Sequence, residues 1–165
     1  MSIWGKIVGG AAGFALGGPL GAIVGAAAGH AVDKMRAGPP SEKQRQAAFS
    51  IAVIVLAAKM AKADGVVTRD EIDTFKRMFH VPAHEMRNVG RLFDQAKQDS
   101  AGYEPYARQV AELFHDSPLV LEELLDGLFL IAKADNVVHP AELQFLYHVS
   151  EIFGFDQAKI GRAHV

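Results

Sequence analysis

Hydrophobic and polar positions follow two regimes along the chain. From Ile7 to Ala28 there is no charged residue, and Gly9, Gly13, Gly17, Gly21, Gly25 and Gly29 recur every fourth position among Ala, Ile, Val, Leu and Phe. Residues four apart share a helix face, so this spacing predicts a smooth glycine groove that a second helix approaches closely. In water each interior glycine costs about 0.5–1 kcal/mol against alanine. In a bilayer the internal backbone hydrogen bonds are obligatory and that cost weighs less. At ~1.5 Å per residue, about 20 residues just cross a hydrocarbon core. The expectation is a membrane anchor that self-associates into a homodimer or oligomer through the glycine face. Gly18-Pro19 interrupts it, giving either one kinked span or two short helices folded as a hairpin.

Three other readings fit less well. A signal peptide would use Lys6 as its basic region, but regular glycines and Pro19 make a weak apolar core. A flexible linker would not be periodic with large apolar residues between its glycines. A phosphate-binding loop needs a preceding strand and a closing Gly-Lys-Ser/Thr, and neither is present.

After Ala37-Gly38-Pro39-Pro40, a short stiff linker, the pattern becomes that of a water-soluble helical domain. Ser41 caps a helix that runs through Ile51-Ala52-Val53-Ile54-Val55-Leu56 to about Ala63. Its middle is apolar all round, which predicts a buried central helix. Its apolar run, Ala47 to Ala58, is too short to span a membrane and ends at Lys59. Thr68-Arg69-Asp70-Glu71 fits a capping box for a helix reaching about Phe79. Pro82 is expected to open the next helix, with Met86, Val89, Leu92, Phe93 and Ala96 inward. Helices over Tyr103 to Phe114 and from Ser117-Pro118 to Ala134 follow, and Asp156 is a cap for a last one.

The domain repeats itself. Ala61-Lys62-Ala63-Asp64-Gly65-Val66-Val67 returns as Ala132-Lys133-Ala134-Asp135-Asn136-Val137-Val138. Glu71 and Glu142 stand seven residues after each aspartate, and His139-Pro140 takes the place of Thr68. A unit of long helix, acidic elbow and short helix is thus used twice. The predicted fold is all-α: residues 1–36 as glycine-rich anchor, 37–41 as linker, and 42–165 as a bundle of about seven helices with a pseudo-twofold repeat.

Charge and composition narrow the partners. A net charge of −2 and a pI near 6.4 give no basic surplus for nucleic acid. The absence of cysteine excludes disulfides and thiolate metal sites. Lys34, Arg36, Lys43 and Arg45 follow the apolar segment, against Lys6 alone before it. This asymmetry predicts a cytoplasmic helical domain on the inner membrane, with Trp4 as an interfacial anchor.

The elbows are the candidate chemistry. Each resembles the back half of an EF-hand loop, with Asp64 and Glu71, or Asp135 and Glu142, at ligand positions. The front half is missing, because Met60 and Lys62, or Ile131 and Lys133, occupy the first ligand positions. Two expectations stand side by side. The aspartates shape turns and the glutamates cap helices, or the four acids hold a weakly bound divalent cation, Ca²⁺ or Mg²⁺. Asp70 and Asp73 make the first elbow the better cation candidate. The seven histidines form no HExxH motif, and no serine sits in a nucleophile elbow. No enzyme is expected.

The elbow pair resembles the TerB family, named for tellurite resistance. Trp4-Gly5-Lys6-Ile7, the glycine repeat, and Gly29-His30 followed by Asp33-Lys34 resemble the membrane-anchored DjlA co-chaperones. That resemblance implies an anchor, a TerB-like domain over 42–165, and a C-terminal J domain that stimulates the ATPase of DnaK. The His-Pro-Asp tripeptide of a J domain is absent from these 165 residues, since His139-Pro140 is followed by Ala141. DnaK is therefore an expected partner only if a J domain follows Val165. The functional expectation is a membrane-anchored adaptor, with a metal- or tellurite-responsive domain as the alternative.

Overall fold

The computed structural model describes residues 18–28, 42–64, 69–79, 83, 86–98, 102–134 and 138–155. Among these the chain forms α1 (Gly18–Ala28), α2 (Glu42–Asp64), α3 (Arg69–Phe79), α4 (Met86–Gln98), α5 (Glu104–Leu113), α6 (Pro118–Ala132) and α7 (Pro140–Ile152), and no strand. The helix expected after Asp156, and Gly9, Gly13, Gly17 and Gly29 of the repeat, lie outside the described residues.

The apolar run of α2 makes it the axis of the domain. Every residue from Ser50 to Ala61 is buried, including Lys59. The helix packs against α4, α5, α6 and α7, as expected of one that is hydrophobic all round. The second long helix, α6, buries Leu121, Leu124, Leu125, Leu128, Phe129 and Ile131 in the same core. The short helices pack across the long ones: α7 packs on α2 and α6, and α3 packs on α6.

The helix expected to open at Pro82 is seen as α4 from Met86, with Ala83 in a 3₁₀ turn before it; Pro82 itself lies outside the described residues. In the glycine-rich segment, α1 begins at Gly18, whose φ of 58° lies in the left-handed region and breaks helical continuity there. At 11 residues α1 covers only about half a bilayer core. No helix among the described residues is long and apolar enough to cross a membrane.

α1 is seated on the domain. Leu20 is fully buried and Ile23 almost so, within the same apolar cluster as α2, α4 and α5. The Leu20 N–H donates to Gln109 Oε1 on α5 at 2.8 Å, satisfying one of the orphan donors of the first helical turn. A Cβ on Gly18 would lie 3.0 Å from the Gln109 amide, so glycine there lets the side chain approach.

Candidate functional site

The second elbow delivers its chain into α7 through a complete capping box. His139 holds an extended backbone, and its Nδ1 accepts from the Ala141 N–H at 3.1 Å. In return Glu142 Oε1 accepts from the His139 N–H at 3.1 Å. Glu142 is buried, with only 3 % of its surface exposed. Pro140 stands at the first helical position, where its missing N–H costs nothing. Histidine thus does the work that serine or threonine does in the common form of this motif.

At the first elbow, Asp64 is the last residue of α2, and Glu71 sits buried in the first turn of α3. Thr68, Asp135 and the side chain of Asp64 lie outside the described residues, so the placement of the four acids as a set does too. Among the described residues, no group of three His, Cys, Asp or Glu side chains could hold a metal ion.

Glu71 also forms part of the wall of an open, largely apolar cleft of about 330 Å³ between α2, α3, α4 and α6. Ala57, Ala61, Phe75, Val89, Phe93 and Ile131 line its interior, and Lys76, Asp94 and Lys97 stand at it with both signs of charge. Ile72, 42 % exposed, lines it as well. Such a concave apolar surface with a few charged groups is suited to taking up apolar side chains or a small apolar ligand.

Further polar features escaped sequence reasoning. Lys59 ends the apolar run by hydropathy, yet it is buried with its ammonium 5.1 Å from the Tyr106 ring centre, within cation–π range. Tyr103, at the head of α5, packs against Phe145 with ring centres 4.5 Å apart and planes tilted by 59°, and is hydrogen-bonded to His148 Nδ1 at 2.5 Å. Burial raises the Tyr103 pKa above its ordinary value, helped by the negative charges of Glu104 and Glu151. Gln109, which holds α1, had no local signal at all, because its partner is 89 residues away.

Fold and elbows together define the class. The family model described as tellurite resistance protein TerB matches residues 50–165, and the chain belongs to that family. The model described as the co-chaperone DjlA transmembrane domain matches residues 1–46. Over nearly its whole length the chain is similar to proteins named co-chaperone protein DjlA. That of Photobacterium profundum is 29 % identical over 174 residues, covering 96 % of this chain and 63 % of the relative. That of Aliivibrio fischeri is 31 % identical, covering 97 % and 61 %, and that of Escherichia coli K12 is 25 % identical, covering 96 % and 62 %. The chain therefore spans about three fifths of the length of these relatives. No solved structure matches it.

Proposed function

We propose that this chain is the anchoring and adaptor portion of a membrane-bound co-chaperone. One observation carries the reading: a co-chaperone transmembrane domain over residues 1–46 runs directly into a TerB domain over 50–165. The first segment seats the protein in the inner membrane and pairs copies through Gly9, Gly13, Gly17, Gly21, Gly25 and Gly29. Lys34, Arg36, Lys43 and Arg45 hold the TerB domain at the cytoplasmic face. There the cleft beside Glu71 offers partners an apolar seat with charged groups around it. DnaK is engaged only where a J domain follows Val165 in the full protein. Alkaline carbonate extraction of membranes from cells expressing the chain tests the anchor. The protein is expected to stay in the pellet, and release into the wash would contradict the reading.

A second reading places Ca²⁺ or Mg²⁺ at the first elbow on Asp64 and Glu71, with Asp135 and Glu142 as a weaker counterpart. The observation in its favour is the buried carboxylate of Glu71 in the wall of an open cleft. With half the usual ligand set, affinity should be no better than high-micromolar to millimolar. Calorimetric titration of CaCl₂ into the chain should then give saturable heat, and a flat titration would dismiss the cation.

A further inference from the structure

We infer that the groove between α4 and α5 is a docking seat for α1, and that α1 leaves this seat when the glycine-rich segment enters the membrane. The inference rests on the membrane-anchor reading and adds a second resting place for the same residues. In the structure α1 packs against α2, α4 and α5. Leu20 and Ile23 are its two apolar plugs, three residues apart on one face and buried in the core cluster. The backbone start of the helix is held by Gln109, and Gly18 permits the approach. Gly18, Pro19, Pro105 and Leu113 border a cavity of about 560 Å³ beside this contact.

The two seats exclude each other on geometry and charge. A span of about 20 residues ending near Ala28 needs Leu20 and Ile23 inside the hydrocarbon. Seated on the domain, these side chains have α4 and α5 against them instead of lipid. Carrying the domain along would bring exposed Arg87 and Arg91 of α4, and Arg108 and Glu112 of α5, to membrane depth. Exposed charges of this kind are strongly disfavoured in lipid. In the inserted state the α4–α5 face loses its cover and the domain is open on that side. In the withdrawn state the chain covers its own groove.

The absence of native cysteine allows a direct test. The full chain carrying Gly18→Cys with Gln109→Cys is synthesised cell-free, with and without phospholipid vesicles, and treated with a short thiol crosslinker. A Pro19→Cys/Gln109→Cys pair is run in parallel, because a side chain at the left-handed φ of Gly18 is strained. Without vesicles, an intramolecular crosslink is expected for at least one pair. In the carbonate-resistant vesicle fraction its yield should fall by roughly tenfold or more, as for two exclusive states of one segment. Chain locked by a disulfide before vesicles are added should fail to become carbonate-resistant until reductant is supplied.

Equal crosslinking in inserted and vesicle-free protein would overturn the exchange while leaving the anchor intact. No intramolecular crosslink from either pair would overturn the seat, and a crosslink appearing only between chains would assign the groove to a second copy. Failure of the unlocked chain to become carbonate-resistant would sink the anchor reading and the exchange with it.

Discussion

Replacing Glu142 separates helix capping from cation binding at the elbows. The structure gives Glu142 Oε1 a defined task, accepting the His139 N–H at 3.1 Å while the carboxylate is buried. Glu142→Ala removes a charge-assisted hydrogen bond and leaves a backbone donor without its partner, a loss of about 1.5–3 kcal/mol. The helix macrodipole adds about 0.3–1 kcal/mol to that loss. Relief from burying a carboxylate offsets part of it, so the net cost should be about 2 kcal/mol. For a domain of this size that corresponds to a fall in Tm of roughly 8 °C. Glu142→Gln keeps an acceptor oxygen at the same reach and should lose about half as much. Thermal unfolding of the full chain in mild detergent, followed by circular dichroism, reads both values. Adding millimolar CaCl₂ or MgCl₂ should shift parent and variants alike. If glutamine is as damaging as alanine, the hydrogen bond to His139 is not what Glu142 contributes. If the parent alone is stabilised by added cation, capping is the wrong account of this residue.

Three further perturbations test core packing, phenol titration and association between copies. Leu124 is fully buried in α6, so Leu124→Ala should cost about 2–5 kcal/mol, whereas Leu119→Ala, at a position 73 % exposed on the same helix, should stay within about 0.5 kcal/mol of the parent. The raised Tyr103 pKa means that the folded state keeps its phenol proton after the unfolded chain has released its own. Tyr103 therefore contributes stability that is present below the ordinary value of 10.0 and lost as pH rises through the raised one. Tyr103→Phe should flatten the alkaline fall of the urea midpoint, and an unchanged slope would refute this. Replacing Gly17, Gly21 and Gly25 together by leucine should leave membrane insertion intact and abolish crosslinking between copies. Undiminished crosslinking would mean that the glycines serve something other than close helix approach.

What could be read from sequence was local or periodic. The all-round apolar run marks α2 as the buried axis, and the glutamate of the second elbow predicts the cap on α7. Even there the capping residue is a histidine, which propensity alone does not nominate. What escaped depends on partners far away in sequence. Hydropathy scores Lys59 as the end of a buried run, whereas its ammonium lies over Tyr106, which only the fold brings near. The stop at Gly18-Pro19 is legible as a break, but the seat of α1 depends on Gln109 and on an apolar face assembled from three helices. At the first elbow, sequence places Asp64 and Glu71 seven residues apart, and the structure adds that Glu71 is buried beside a cleft whose other walls come from α2, α4 and α6.

Side-specific labelling tests most directly the proposal that the chain is membrane-anchored with its TerB domain at the cytoplasmic face. A single cysteine at the exposed Leu119 position is the only thiol in the molecule. Membranes from a bacterial host expressing Leu119→Cys are probed with a membrane-impermeant maleimide, on intact spheroplasts and on inverted vesicles. The account predicts carbonate-resistant protein that is labelled in inverted vesicles and protected in spheroplasts. Labelling from the outer face would reverse the orientation, and protein that washes free of the vesicles would contradict the anchor itself.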